Sequence, residues 1–139
     1  MGGARLSAVV LDTCAILWLA AGRSPRAETA HAIKAARAQD AVLLSPISAW
    51  EIAMKHARRS EELGLKEPPG AFFGAFAAQI GVRLAELSVA VLVRSTGLEG
   101  FPNRDPADRM IVATALEAGA RVVTGDRRIL DHLDDALAY

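Results

Sequence analysis

The chain has 139 residues, and 52% of them are hydrophobic, which predicts a folded domain with a substantial core and excludes a disordered chain. Its 16 basic and 16 acidic residues give a formal net charge of +0, which argues against nucleic-acid binding through bulk charge. A single cysteine, Cys14, excludes an internal disulfide framework, and the apolar run Cys14–Ala21 is far short of the roughly 20 residues that a membrane span requires. We therefore expect one domain over residues 1–139, located in the cytoplasm.

Strands and helices alternate along the chain, as judged from short β-branched apolar runs and from helix start and stop residues. The first predicted elements are a strand over Leu6–Leu11, a helix over Thr13–Ala21, a helix that begins at Ser24-Pro25 and runs to about Gln39, a strand over Ala41–Leu44 and a helix over about Ile47–Ser60. The remainder is a loop over Glu61–Gly70, a helix over Ala71–Ile80, a strand over Val82–Leu87, a helix from Ser88 to about Thr96, a loop over Gly97–Arg104, a helix over Pro106–Ala118, a strand over Arg121–Thr124, a helix over Arg127–Leu133 and an edge strand over Ala136–Tyr139. This order predicts an α/β domain with helices on both faces of a mostly parallel, four- to five-stranded sheet.

The helix over Pro106–Ala118 begins with two carboxylates in one turn. Asp105 is a natural N-cap, and proline fits the first turn because its missing N–H would have no partner there. Asp108 lies three residues after the cap. Because one acidic residue suffices for capping, the second is free to act with other carboxylates. Leu116 continues the apolar spacing and is expected to face the core.

Acidic residues follow two of the predicted strands and lie near the starts of two predicted helices. Asp12 ends the first strand, Asp126 follows the fourth after a single glycine, and Glu51 lies in the first two turns of a helix. The carboxyl ends of parallel strands meet at one edge of a sheet, where ligands commonly bind. Carboxylates gathered at that edge would repel one another. Oxygen ligands favour Mg²⁺ or Mn²⁺, so the pattern is compatible with an acidic metal site.

Each acidic residue also has a simpler interpretation. An aspartate after a strand is commonly only a helix N-cap. Glu51 is placed to complete a capping box with Ser48 or to pair with Lys55 at the i+4 position. The basic residues near the acids are explained equally well as a solvated face and as contacts to phosphate. Trp18 and Trp50 have helical spacing among apolar neighbours and are expected in a core or an interface.

Four ordered segments combine these residues at a specific spacing. They are Leu11-Asp12-Thr13 with Leu17-Trp18, SPISAWEIAMK over residues 45–55, DPADRMIVATA over residues 105–115 and VTGDRRI over residues 123–129. Together, over nearly the whole chain, they resemble the PIN-domain ribonucleases, and among these the VapC toxins of type II toxin–antitoxin systems.

The resemblance implies a PIN-like three-layer α/β/α fold and a Mg²⁺- or Mn²⁺-dependent endoribonuclease. It assigns catalysis and metal binding to four acids: Asp12, Glu51, Asp108 and Asp126. It gives supporting positions around them to Thr13, Asp105, Arg109 and Thr124. It also implies an RNA substrate, a homodimer and a cognate antitoxin protein, with no membrane association.

Other hypotheses remain open from the sequence. The chain could be a non-catalytic binding partner that keeps the PIN fold and uses its acids only as caps. It could also be a PIN nuclease that acts in RNA maturation or on DNA. Phe72, Phe73 and Phe76 are explained equally well as part of an antitoxin-binding surface and as core residues.

Overall fold

The structure, a computed structural model, describes residues 7–139 except for the side chain of Ser60. These residues form five strands and seven helices, which we number in chain order. The strands are β1 (Val9–Leu11), β2 (Val42–Leu44), β3 (Val82–Leu84), β4 (Arg121–Thr124) and β5 (Leu137–Ala138). The helices are α1 (Thr13–Ala20), α2 (Ala27–Arg37), α3 (Pro46–Leu63), α4 (Pro69–Ala77), α5 (Val89–Thr96), α6 (Pro106–Ala118) and α7 (Arg127–His132).

All five strands pair in parallel, in the order β3-β2-β1-β4-β5. The predicted α/β class is confirmed, and the sheet is entirely parallel. The chain first adds strands on one side of β1 and then crosses to add β4 and β5 on the other side. The strand order therefore reverses between β1 and β4, and such a reversal opens a crevice at the carboxyl ends of the strands.

Alternate residues of β1 face opposite sides of the sheet and belong to two different cores. Val9 and Leu11 pack with residues of α1, α3 and α4 in one core. Val10 packs with residues of α6 and α7 in the other. Because successive side chains of a strand point to opposite faces, three residues are enough to join both layers of helices to the sheet. The result is the expected three-layer α/β/α arrangement.

Helix α6 has the bounds that the sequence predicts. Asp105 caps its first turn, and Gly119 ends it in the left-handed conformation with φ of +66°, which glycine adopts without steric strain. Ile111 and Val112 are fully buried against the sheet. Leu116 is 39% exposed, so the prediction that it faces the core is wrong.

Several predicted bounds differ from the structure. The strand predicted over Leu6–Leu11 begins at Val9, because Ser7 and Ala8 are not part of it; Leu6 lies outside the described residues. The Ser24-Pro25 signature does not start α2, whose N-cap is Arg26 without a side-chain hydrogen bond. The strand predicted over Val82–Leu87 is β3, which ends at Leu84.

Helices α3 and α4 also extend beyond the prediction. Residues 61–63, expected in a loop, continue α3 after a kink at Arg59, where φ is −147° and ψ is 58°. Helix α4 begins at Pro69, two residues before the predicted start, and it ends at Ala77. Phe73 and Phe76 are buried in the core beside α3, whereas Phe72 is half-buried. The core interpretation is therefore confirmed for Phe73 and Phe76.

Across residues 7–139, no helix combines the length and the apolar character that crossing a bilayer demands.

Candidate functional site

The carboxyl ends of β1 and β4 bring the first and last predicted acids to the point where the strand order reverses. Leu11 is paired with Val123, and the amide of Asp12 donates to the Val123 carbonyl at 3.1 Å. Thr124 and Asp126 follow directly on the β4 side. The acids at the starts of α3 and α6 approach the same edge, where the carboxylates influence one another electrostatically.

Asp12 is buried, with only 5% of its surface exposed. Its Oδ1 caps α1 by accepting from the Ala15 amide at 2.8 Å, and its Oδ2 accepts from the Thr124 hydroxyl. Burial raises the pKa of Asp12 to about 6, and the negative charges of Asp108 and Glu51 add to the increase, although the hydrogen bonds oppose it. Asp12 is thus a desolvated carboxylate beside other acids, a combination that pure capping does not require.

Glu51 points from α3 toward α1, where its carboxylate accepts from the Thr13 hydroxyl. The Ser48 hydroxyl lies 3.0 Å from the Thr13 Oγ1. Ser48 lies inside α3 and not at its N-cap, because the Ser45 Oγ accepts from the Ile47 amide at 3.2 Å at the helix start. The capping-box interpretation of Glu51 is therefore wrong. Burial, followed by the charge of Asp108, raises the pKa of Glu51.

The start of α6 supplies two further carboxylates. Asp105 Oδ1 caps the helix by accepting from the amides of Ala107 at 2.9 Å and Asp108 at 3.1 Å. Glu51, Asp105 and Asp108 each offer one carboxylate oxygen, and these oxygens all lie within 4.8 Å of one another. Asp105 therefore both caps α6 and belongs to this group, which we call the three-acid cluster. Burial and the charges of Asp105 and Asp126 raise the pKa of Asp108.

Asp126 lies beside the three-acid cluster and is held by an arginine. Its Oδ1 accepts from the amide of Arg128 at 2.9 Å, and its Oδ2 accepts from the Arg128 Nη2 at 3.0 Å. Burial tends to raise the pKa of Asp126, but the hydrogen bonds and charge of Arg128 outweigh it and lower the pKa overall. Asp126 therefore stays ionised more readily than the neighbouring acids.

The turn before Asp126 is shaped by an aromatic side chain. A Cβ on Gly125 would overlap the ring of Trp18, so only glycine fits there without a shift. The Trp18 ring contacts the Tyr139 ring, 5.0 Å away between centroids, and the Arg23 guanidinium lies 4.5 Å from the Trp18 ring centroid. Trp18 thus packs closely against the turn between Thr124 and Asp126.

Asn103 is a site residue that the sequence analysis missed. It is fully buried, and its Nδ2 donates to Asp108 Oδ2 at 2.8 Å and to Asp126 Oδ2 at 3.2 Å. Its Oδ1 accepts from the Asp105 amide at 2.9 Å. The asparagine lies two residues before the helix cap, as in an Asx turn. That spacing is the local signal, but it does not disclose the contact with Asp126.

Arg109 holds the loop that carries Asn103 through its backbone carbonyls. Its guanidinium donates to the carbonyls of Ser95 at 2.8 Å, Asn103 at 3.1 Å and Leu98 at 3.4 Å. It also lies over the Phe101 ring, 5.7 Å from the centroid. Arg109 is therefore committed to backbone carbonyls and does not face the acids as a counter-charge.

The composition of the cluster fits a hard divalent cation. All of its ligand atoms are carboxylate oxygens, which suit Mg²⁺ and Mn²⁺. Burial together with neighbouring negative charge raises the pKa of Asp12, Glu51 and Asp108, so a cation would relieve an existing repulsion. Asp12, Asp105 and Asp126 do cap helices, but Glu51 and Asp108 cap none. The two non-capping acids therefore carry the functional interpretation.

Several exposed residues lie near the acids along the chain. Lys55 lies one turn after Glu51 on α3, near enough for its charge to oppose the rise in the pKa of Glu51. Arg58, further along α3, and Arg104, just before the Asp105 cap, are exposed as well. Trp50 is 55% exposed, so of the two alternatives for it the core is wrong and an interface stays a prediction.

Comparison with known proteins adds two findings. A family model described as the PIN domain matches residues 9–136. The chain is 32% identical over 128 residues to Ribonuclease VapC22 of Mycobacterium tuberculosis (strain ATCC 25618 / H37Rv), an alignment that covers 91% of this chain and 93% of that protein.

Proposed function

The chain belongs to the PIN-domain family and is of the VapC type, and from this premise we propose that it is the endoribonuclease toxin of a type II toxin–antitoxin pair. The observation that carries the proposal is the three-acid cluster with Asp12 and Asp126 beside it, at the reversal of strand order. We also propose that residues 1–139 form one PIN domain and that it acts in the cytoplasm.

In this proposal four acids hold Mg²⁺ or Mn²⁺: Asp12, Glu51, Asp108 and Asp126. Asp105, which belongs to the three-acid cluster, can offer an oxygen in addition to its cap. When bound, the cation supplies activation of a water molecule and neutralisation of charge on a phosphodiester. Relief of the repulsion among Asp12, Glu51 and Asp108 favours its binding.

Two threonines orient the acids that come from separate elements. The Thr13 hydroxyl on α1 holds the Glu51 carboxylate of α3, and the Thr124 hydroxyl on β4 holds the Asp12 carboxylate that follows β1. Each threonine donates its hydroxyl proton to a carboxylate and so favours the ionised form. Ligand oxygens fixed in this way need little reordering when a cation binds.

The cations that remain free are suited to the RNA backbone. Lys55 and Arg58 on α3 and Arg104 before α6 are exposed, and the contacts of the described residues give them no carboxylate partner. Phosphate contacts of this kind contribute affinity without sequence preference. The net charge of +0 therefore does not argue against RNA binding, because Lys55 lies close enough to Glu51 to act on its pKa.

We also propose two protein partners, a second copy of the chain and a cognate antitoxin. Helix α5 leaves Val89 at 76% and Val93 at 64% exposure, and the neighbouring α6 leaves Leu116 exposed. Exposed apolar side chains on two packed helices are compatible with an interface. Light scattering of the purified chain tests the homodimer, and a stable complex with a protein encoded beside it tests the antitoxin.

The experiment that tests the activity is cleavage of a mixed RNA pool by the purified protein. Reactions contain Mg²⁺, Mn²⁺ or EDTA, and the variants are Asp12→Asn and, as a matched control, Asp134→Asn, which alters an exposed acid. We expect metal-dependent cleavage that Asp12→Asn abolishes and Asp134→Asn preserves. Equal cleavage by wild type and Asp12→Asn would overturn the assignment of the site.

Absence of cleavage has a separate meaning. If neither metal supports cleavage and neither changes the melting temperature, the hypothesis of a non-catalytic PIN-fold partner replaces the nuclease. That hypothesis is favoured by the three capping aspartates, because caps require no metal.

A further inference from the structure

We propose that Asn103 is a positioning residue that holds Asp126 and Asp108 on one metal-binding centre; the inference rests on the proposed function. The two aspartates belong to different elements, since Asp108 lies in the first turn of α6 and Asp126 caps α7. The Asn103 Nδ2 reaches both, at 2.8 Å and 3.2 Å. Among the described residues, it is the side chain that donates hydrogen bonds to both of these carboxylates.

Both nitrogen and oxygen of the Asn103 side chain are hydrogen-bonded within the site. A carboxamide has two N–H donors, and here one is directed to each carboxylate. Its oxygen accepts from the Asp105 amide at 2.9 Å. A buried amide satisfied in this way favours one orientation, because any rotation would leave buried polar atoms without partners.

The backbone of Asn103 is fixed as well. Its carbonyl accepts from the Arg109 Nη1 at 3.1 Å, and the same guanidinium donates to carbonyls at residues 95 and 98. Arg109 lies directly after Asp108 in α6. The loop that carries Asn103 is therefore bonded to α6. Both the backbone and the side chain of Asn103 are held, the backbone by Arg109 and the side chain by the acids.

Both Asn103 and Arg128 hydrogen-bond to the Asp126 carboxylate, so we expect its position to depend on Asn103. Arg128 donates to both of its carboxylate oxygens, and Asn103 donates to the oxygen that Arg128 Nη2 also contacts. Arg128 is exposed, whereas Asn103 is buried beside Asp108. Without the asparagine, the remaining partners of the Asp126 carboxylate belong to Arg128, on the outer side of the site.

Mn²⁺ binding without RNA tests the proposal. The free ion is measured by electron paramagnetic resonance during titration of wild type, Asn103→Ala and Asn103→Ser. The serine hydroxyl can still accept from the Asp105 amide in a local turn but is too short to reach both carboxylates. We expect both variants to bind Mn²⁺ about 10- to 100-fold more weakly than wild type, the usual effect of removing a residue that orients ligands.

Two controls separate positioning from folding. Thr114 is buried in α6 and bonds only to the Met110 carbonyl of its own helix, so Thr114→Ala should lower the melting temperature without changing Mn²⁺ affinity. Asp126→Asn keeps the α7 cap but removes a carboxylate. If Asn103 joins Asp126 to Asp108, Asn103→Ser should weaken Mn²⁺ binding clearly less in the Asp126→Asn background than in wild type, because part of its effect passes through Asp126.

Each outcome has one meaning. Wild-type Mn²⁺ affinity in folded Asn103→Ser would overturn the positioning role and leave the proposed nuclease intact. A full, multiplicative loss in the double variant would overturn the claim that Asn103 joins the two carboxylates, because the effect of Asn103 would then not pass through Asp126. A wild-type protein that binds no Mn²⁺ would overturn the proposed function and this inference with it. Weaker binding that is coupled to Asp126 supports the proposal.

Discussion

At the scale of single residues, one carboxylate caps a helix and also belongs to the proposed metal site. Asp12 caps α1 through Oδ1 and is buried beside Glu51 and Asp108, which raises its pKa from 3.8 to about 6. Because the folded protein binds this proton more tightly than the unfolded chain, the stabilisation is fully present below about pH 4. It is lost as the pH rises through about 6. At neutral pH the ionised Asp12 therefore lowers the free energy of unfolding by about 3 kcal/mol.

Replacement of Asp12 by asparagine should restore the free energy of unfolding that the ionised carboxylate lowers at neutral pH. Asparagine keeps an oxygen for the Ala15 amide and so preserves the cap. In EDTA at pH 7.5 we expect Asp12→Asn to unfold at a higher urea concentration than wild type, by up to about 3 kcal/mol in the free energy of unfolding. At pH 4 the two proteins should differ little. A variant less stable than wild type at pH 7.5 would contradict the expectation that the buried, ionised Asp12 destabilises the fold.

The same variant connects stability with activity. We expect Asp12→Asn to be more stable without metal and also inactive, so its inactivity cannot be attributed to unfolding. Natural active sites often retain such destabilising groups because function requires them.

At the scale of elements, local signals predicted α6 correctly. Asp105, Pro106 and Gly119 specify its start and end through capping, a fixed φ and a left-handed turn, none of which depends on distant residues. Short strands such as β1 were also recognisable, because a continuous apolar run suits a strand buried on both faces. Their carboxyl ends then placed Asp12 and Asp126 at one edge of the sheet.

Features that depend on tertiary contacts were not predictable. Ser48 looks like a cap in the sequence, but it lies inside α3 beside Thr13 of α1. The Ser24-Pro25 signature predicted the start of α2 wrongly, since this helix begins at Ala27. Asn103 meets Asp126 only after α6 and β4 have brought residues 23 positions apart together. No local pattern encodes such a contact, so the sequence alone indicated the acids but not the amide that joins them.

Helix α3 combines an acid of the cluster with a free cation, and this predicts a role in binding RNA. Lys55 lies one turn after Glu51 and is exposed. We expect Lys55→Ala to raise KM with little change in kcat. It should also reduce the slope of log(1/KM) against log salt concentration by about 0.7, the value for one phosphate contact on a single strand.

A lysine on another helix supplies the control for that measurement. Lys34 is exposed on α2, and Lys34→Ala removes the same charge from the chain. If both variants change the salt dependence equally, net charge and not the position of Lys55 governs RNA binding.

At the scale of the whole molecule, the parallel sheet is what unites distant carboxylates. Residues 12, 51, 108 and 126 span most of the chain, yet the reversal of strand order between β1 and β4 brings their elements to one edge. Folding is therefore required to assemble a site that no single segment contains. Metal binding to such a site must be coupled to the stability of the folded chain.

This coupling predicts how metal and pH act together on melting. At neutral pH, Mn²⁺ at 100 times its dissociation constant should stabilise the protein by about 2.7 kcal/mol, provided that the unfolded chain does not bind it. Protons compete for the same oxygens, and burial and neighbouring charge raise the pKa values of Asp12, Glu51 and Asp108, that of Asp12 to about 6. The shift in melting temperature at a fixed Mn²⁺ concentration should therefore shrink as the pH falls from 7.5 through 6 and nearly vanish near 4.

Calorimetry at several pH values measures this shift, with Asp108→Asn as the variant that should lose most of the shift at every pH. A shift that stays constant down to pH 4 would mean that the ion binds elsewhere, because only ligands that titrate in this range can link the ion to the proton.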